Sequence, residues 1–357
     1  MTEPRNFTLS GIAVPKDAGA MLSMVAEHFA EHADVVRQGD RVVLDSDIGQ
    51  ARIDREGDRL HILLSASGKE ALQLSRTMLA EHMFYFAGTD TLVLDWADPP
   101  PPETPANLYE VTVVSTETVT PHMLRVTFSC DDVSPFIGGN MHVRMLVPPK
   151  GRDPVWPVVG DDGRFVWPDG EDALLVRVYT IRSFDVERGE LSVDFLQHPA
   201  PGIKTPGADF ARDARPGDRI AFLGPGGGAV PEAETIFLAG DEAALPAIAR
   251  IADEVPAGTR LSAIIEVEDE TEEQPIESAG HLDLRWLHRA RYDDGATGVL
   301  ADEAQKAIAT LDEDTFVWVA CEKSDVRAIR KLLKERKHDR KRMYVAWYWE
   351  RGAAAAG

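Results

Sequence analysis

Cysteine is nearly absent from this chain. Cys130 and Cys321 are the only two in 357 residues, and no CxxC pair occurs. A disulfide framework, a thiolate zinc site and a cysteine-ligated iron–sulfur cluster are excluded by count. No apolar run approaches the ~20 residues that cross a bilayer, so no membrane insertion is expected. The opening stretch MTEPRNFTLSGIAVPKD lacks the basic and apolar blocks of a signal peptide, and the expected compartment is the cytoplasm. Positive charge is also in deficit: 38 Lys and Arg stand against 60 Asp and Glu, a formal net charge of −22. Polyphosphate binding needs a positive field, so no nucleic-acid partner is expected.

What is present is an ordinary globular composition, 44% hydrophobic and 27% charged, in a chain long enough for two or three domains. The sharpest boundary is ADPPPPETPAN, residues 97–107, where a proline run acts as a stiff spacer. Residues 1–96 read as a small α/β domain. Helices are expected over 17–32, burying Leu22, Val25 and Phe29, and over 69–86, with short strands at 41–44, 51–54 and 61–64. Residues 108–230 change texture. Six mostly alternating segments, 109–114, 123–128, 142–147, 174–181, 191–197 and 219–223, separated by Gly, Pro and Asp, predict an antiparallel β-barrel. Residues 231–357 change again. Strands at 235–239, 261–267 and 315–320 alternate with helical patterns such as 324–336, the signature of a doubly wound parallel sheet.

Within the barrel region the stretch LLVRVYTIRSF, 174–184, places Arg177, Tyr179, Thr180 and Arg182 in what otherwise reads as a buried strand. Alternation puts Arg177 and Tyr179 on one face and Thr180 and Arg182 on the other. A guanidinium holds a phosphate bidentately, a phenol ring offers a flat packing surface, and a hydroxyl can donate to a ring nitrogen. The set suits a ligand that is both aromatic and phosphorylated, such as a flavin nucleotide. It equally suits an edge strand whose arginines reach solvent.

A barrel followed by a nucleotide-type sheet resembles the ferredoxin–NADP reductase superfamily. RVYTIR resembles the RxYTxR flavin motif of its siderophore-interacting proteins, FAD-dependent ferric-siderophore reductases. GGNMHVRMLVP, FLGPGG, LAGDEAALPAI, VWVACEKSDVRAIRKLL and AWYWERG resemble further segments of that family, in its order and spacing, over most of 108–352. The resemblance implies that Arg177 and Arg182 support the FAD phosphates. It sets Tyr179 against the isoalloxazine or ribityl chain and brings Thr180 to its polar edge. In LQHPAPGIKTPGADF it places His198, Gly202 and Thr205 at a pyrophosphate-cradling turn. Ile203 and Lys204 depart from the family's Pro-Ala there, Lys204 adding a charge of the correct sign, and Phe210 replaces a tryptophan. Catalysis would need no protein acid, base or metal ligand, because the flavin carries the chemistry.

The glycine fingerprint of a dinucleotide domain, GxGxxG, is missing; Gly240-Asp241-Glu242 stands in its place, with Pro246 suited to a helix first turn. Two carboxylates there cap a helix well but oppose a pyrophosphate, leaving a capped helix or a weakly bound NADPH or NADH as the readings. The family also implies ferredoxin as a donor for some members. For an anionic ferric siderophore the basic candidates are Arg144 with Lys150 and Arg152, then Arg285 with His288 and Arg289. Of these, Arg144 and Arg285 are preferred. The stripe Arg327, Arg330, Lys331 and Lys334 reads as a solvated face over buried Ile329, Leu332 and Leu333. Trp347, Tyr348 and Trp349 read as a terminal core strand, one ring alternatively covering the flavin. Residues 8–96 resemble a small domain of unknown function fused to such reductases. His28 and His82 in it are read as packed histidines rather than ligands, and a partner or gating role is expected. A reductase serving another acceptor and a non-catalytic siderophore-binding flavoprotein remain the alternatives.

Overall fold

A computed structural model of the protein describes residues 5–30, 33–97, 102–197, 205–292 and 297–352. The N-terminal elements are β1 (Phe7–Pro15), α1 (Ala18–Phe29), β2 (Asp34–Gln38), β3 (Arg41–Asp45), β4 (Gln50–Glu56), β5 (Arg59–Ala66), α2 (Lys69–Ala87) and β6 (Leu92–Trp96). The strands form an antiparallel sheet in the order β2-β3-β4-β5-β1-β6. In β5 the alternate residues Leu60, Ile62, Leu64 and Ala66 are buried, which fixes its register. The Asp17 side chain accepts from the Ala20 N–H at 2.9 Å, starting α1. The first helix thus begins where its cap predicts and ends at Phe29, with Ala30 as its C-cap. Strands β1, β2 and β6, absent from the sequence reading, complete this sheet.

The barrel region contributes β7 (Leu108–Thr120), β8 (Met123–Cys130), β9 (His142–Val147), β10 (Val158–Val159), β11 (Phe165–Val166), β12 (Leu175–Asp185), β13 (Glu190–Leu196), α3 (Pro206–Asp213) and β14 (Arg219–Leu223). Six of these strands close a barrel in the order β12-β13-β8-β7-β14-β9 around Val113, Phe128, Phe136, Met145, Phe195 and Phe222. All six barrel strands expected from alternation are present.

The third region contains β15 (Thr235–Gly240), α4 (Leu245–Glu254), β16 (Arg260–Val267), β17 (His281–His288), α5 (Val299–Ile308), β18 (Phe316–Glu322), α6 (Lys323–Glu335) and β19 (Met343–Trp349). Its sheet is parallel, in the order β17-β16-β15-β18-β19. Ile236, Leu238 and Trp318 face α4 on one side, while Phe237, Val317 and Val319 face α5 and α6 on the other. Both faces are covered, as a doubly wound sheet requires. The strand order reverses between β15 and β18, where such sheets receive ligands.

The chain forms two compact units. One is residues 1–108 together with 151–173, and the other is 109–150 with 174–357. Residues 151–173, which run between two barrel strands, pack in the first unit. Arg76 of α2, almost fully buried, donates to the carbonyls of Gly160 and Asp161, and Trp96 Nε1 donates to the Asp162 carbonyl at 2.9 Å. Among the described residues no helix is long and apolar enough to cross a membrane.

Candidate functional site

Strand β12 collects the residues singled out from the sequence. It pairs along one edge with β9, setting Arg177 opposite Met145, Tyr179 opposite Val143 and Thr180 opposite His142. Tyr179 turns to the barrel core, its ring 4.4 Å from that of Phe195. Its hydroxyl end is packed so closely on Gly207, in the first turn of α3, that a Cβ there would collide with it. Burial pushes the Tyr179 phenol well above its ordinary pKa. Thr205 is the N-cap residue of that helix. His198, Gly202 and Lys204 lie outside the described residues.

The two arginines are incompletely satisfied. Arg177 Nη1 donates to the neighbouring Val176 carbonyl at 2.7 Å, and Arg182 Nη1 pairs with Asp253 of α4. The Nε–H of each is buried with no acceptor among the described residues. A buried guanidinium N–H left unpaired costs roughly 1–3 kcal/mol, so an anionic group reaching either face of β12 would relieve the arginine on that face. The residues present therefore fit a phosphorylated ligand.

On the other face of β12 stands a polar cluster not anticipated from the sequence. His142 is 7% exposed and Thr180 6%. His142 Nδ1 lies 3.2 Å from Thr180 Oγ1, and Nε2 lies 2.8 Å from the Tyr348 hydroxyl and 3.4 Å from that of Tyr344. Burial, with Arg250 adding its charge, pushes His142 down to about 4, so the imidazole is neutral at pH 7. Arg250, also buried, fastens α4 to the barrel. It donates to the carbonyls of Ile181 at 2.9 Å and Phe136 at 2.7 Å, and to Glu254 at 2.6 Å. Buried Glu272 accepts from Thr120 Oγ1 and His122 N, tying the β7–β8 turn to the parallel-sheet domain. The sequence signal for His142 was the family-like segment GGNMHVRMLVP, which forms the strand flanking β12.

The turn after β15 is built differently. Gly240 packs so tightly on Ala244 and the Ala320 carbonyl that a Cβ would collide with both. Asp241 Oδ1 accepts from Ala243 N at 3.0 Å, and its backbone carbonyl accepts from Ala244 and Leu245. Asp241 Oδ2 accepts from Trp349 Nε1 at 2.7 Å. Both Glu242 oxygens meet the Arg289 guanidinium, which also reaches Glu266 and Glu268. Burial first, then the charge of Glu242, pushes Asp241 up to about 7. Burial, with Glu266 and Glu322, raises Asp325 to about 6. The amides and the crevice expected to face a pyrophosphate are thus occupied by carboxylates.

The basic candidates separate clearly. Arg144 on β9 is exposed, with no hydrogen bond or ion pair among the described residues. Arg285 on β17 is ion-paired with Glu303 of α5. Lys150 pairs with Asp213, and Arg152 with Glu171 and Asp172. His288 is buried against Glu273. On α6 the residues Arg327, Arg330, Lys331 and Lys334 are exposed, Arg330 donating to the Val345 carbonyl, while Ile329 and Leu333 are buried. In β19 Trp347 and Trp349 are exposed and Tyr348 turns inward to His142. His28 and His82 pack with ring centroids 4.6 Å apart and planes tilted by 39°, and His82 Nδ1 lies 2.7 Å from the Met78 carbonyl.

Comparison with known proteins adds the following. Residues 112–229 match a siderophore-interacting FAD-binding domain, and residues 233–352 match the siderophore-interacting protein family. Residues 12–97 match a family described only as uncharacterized and conserved in bacteria. The chain is 29% identical over 240 residues to the ferric vibriobactin reductase of Vibrio cholerae, covering 66% of this chain and 86% of that one. The crystal structure of a siderophore utilization protein from T. fusca is 30% identical, with a TM-score of 0.56, covering 73% of this chain and 97% of that one. The siderophore-interacting protein SipS from Aeromonas hydrophila is 26% identical, with a TM-score of 0.56, over 69% of this chain and 93% of that one.

Proposed function

The chain belongs to the siderophore-interacting protein family and is an FAD-dependent oxidoreductase, and from that premise we propose that it reduces Fe(III) held in a siderophore. Electrons would pass from NADPH, NADH or a ferredoxin through FAD, and the iron would leave as Fe(II). The carrying observation is the pair of buried Nε–H groups of Arg177 and Arg182 with no acceptor among the described residues. In a chain of net charge −22, such groups on the family-like strand support an anionic ligand beside it. Arg177 and Arg182 hold the FAD phosphates, Tyr179 supports the ring system or ribityl chain, and Thr180 meets its polar edge. His198, Gly202, Lys204 and Thr205 belong to the segment proposed to cradle the pyrophosphate. Bound FAD supplies two-electron uptake and one-electron release.

The protein's own residues bind, orient and exclude water. Thr180 and His142, both buried, keep solvent from one side of β12. Arg144, exposed and unpaired, attracts an anionic ferric chelate; Arg285, committed to Glu303, is the weaker candidate. The carboxylates of Asp241 and Glu242 favour a transient pyridine nucleotide, or a ferredoxin donor, over a tightly held one. The proposed compartment is the cytoplasm, where reduced nucleotides are made.

The test is anaerobic. FAD-loaded protein receives each donor in turn while flavin bleaching is followed, then a ferric siderophore with an Fe(II) trap. The reading expects bleaching by at least one donor and reoxidation matched by trapped Fe(II). Failure to take up FAD, or bleached flavin left reduced by every ferric chelate, overturns it.

A further inference from the structure

The His142 cluster contains more hydrogen-bonding information than a packed interior needs. Thr180 and His142 are both buried, so bulk water does not decide their bonding. A neutral imidazole carries one N–H and one bare nitrogen, and only two tautomers exist. Of two phenol hydroxyls at Nε2, that of Tyr348 at 2.8 Å is the direct partner, while that of Tyr344, 3.4 Å away, also bonds the Tyr348 hydroxyl. A phenol donates more strongly than it accepts, and a bare imidazole nitrogen is a better acceptor than a phenol oxygen. Nε2 is therefore the bare nitrogen and Nδ1 carries the proton. That proton points at Thr180 Oγ1, 3.2 Å away. Thr180 then accepts from His142, and its own hydroxyl proton has no acceptor among the described residues.

We propose that Tyr348, His142 and Thr180 form a one-way hydrogen-bond relay, in which Tyr348 selects the His142 tautomer and thereby presents the Thr180 hydroxyl as a donor to the bound ligand. The opposite tautomer would draw the Thr180 proton back to Nδ1 and offer the ligand only lone pairs. His142 and Tyr348 are thus positioning residues. They act through Thr180 and set whether the ligand atom beside it must be an acceptor. Gly228 belongs to the device, because a Cβ there would collide with His142 Nε2 and displace the ring. The relay joins the terminal strand β19 to the barrel strand β12, so the tautomer responds to how the two domains of this unit are packed. The assignment to flavin rests on the function proposed above; the tautomer assignment does not.

Two measurements test it. In the full-length apo chain, nitrogen-15 correlation spectra of the His142 ring, assigned by their loss in His142→Gln, should show Nδ1 protonated; a ring protonated at Nε2 overturns the relay. In the FAD-loaded chain, Tyr348→Phe keeps the ring and its packing. It should shift the flavin midpoint potential and long-wavelength band in the same direction as Thr180→Val, with FAD affinity held within about threefold, less than one hydrogen bond's worth. The double variant should shift no further than Thr180→Val alone, and Thr180→Ser should restore the native values. Additive shifts, or a Tyr348→Phe flavin indistinguishable from the parent, overturn the relay. A parent chain that takes up no FAD overturns the flavin reading instead, and the apo spectrum still decides the tautomer.

Discussion

Strand β12 and the turn after β15 both bring charge into the interior, and they resolve it in opposite ways. At the turn the carboxylates find partners within the fold: Glu242 takes Arg289, and Asp241 takes Trp349 Nε1 and a backbone amide. On β12 two guanidinium Nε–H groups stay buried with no described acceptor. Buried charge is tolerated only when something pairs it. A self-satisfied turn has nothing left for an anion, whereas an unsatisfied strand waits for one. The comparison separates the strand proposed to hold a ligand from the turn proposed to receive a donor only transiently.

Breaking the cationic side should have the largest effect. Arg177→Ala removes a charge-assisted contact worth about 1.5–3 kcal/mol, so FAD should bind about 10–100-fold more weakly in a fluorescence titration. An unchanged dissociation constant would detach Arg177 from the cofactor. The opposite change, Glu242→Gln, releases one carboxylate grip on Arg289 and lets it face a phosphate. NADPH or NADH should then reduce the flavin with an apparent affinity about tenfold tighter in stopped-flow traces, as one gained contact allows. No improvement would mean that the turn is closed by shape rather than by charge.

Protonation gives a gentler version of the same test. The folded pKa of Asp241, about 7, stands above the ordinary 3.8, so the folded chain retains a proton that the unfolded chain releases. The stability linked to this group is present below the ordinary value and is lost as pH rises through about 7. His142, pushed down to about 4, acts in the reverse sense, its contribution being lost as pH falls below 6.5 toward 4. Nucleotide affinity should therefore improve several-fold as pH falls through about 7, and the improvement should vanish in Asp241→Asn. The smallest effect is expected at the surface. Arg144→Glu should raise the apparent KM for an anionic ferric chelate about threefold while flavin content stays constant, in keeping with one screened charge.

Much of this was legible before the structure. Barrel strands announce themselves by alternation between Gly, Pro and Asp breaks, so all six were placed from the sequence. The first helix was set by Asp17 and its apolar stripe. Strands β2 and β6 were missed because they are sheet edges, β2 with no buried residue and β6 with two, too few to leave a pattern. Of the site, the β12 residues were visible as charges inside an apolar run. His142 lay in the family-like segment GGNMHVRMLVP, but its polar partners were not visible, because a single histidine in a strand carries no pattern of its own. Arg285 was preferred for its charge, and only the fold shows Glu303 opposite it.

By itself, then, the sequence determined the order of a small α/β domain, a barrel and a parallel sheet, and marked one strand as holding charge that its neighbours in the chain do not answer. These follow from periodicity, which residues a few positions apart settle among themselves. Which charges are answered was decided only by tertiary packing. Tyr348 reaches His142 across 206 residues and Arg250 reaches Phe136 across 114, and no local rule specifies which surfaces meet at such separations. Pairing of a buried polar group depends on what lies against it in space, so the difference between the unsatisfied strand and the self-satisfied turn exists only once the chain has folded.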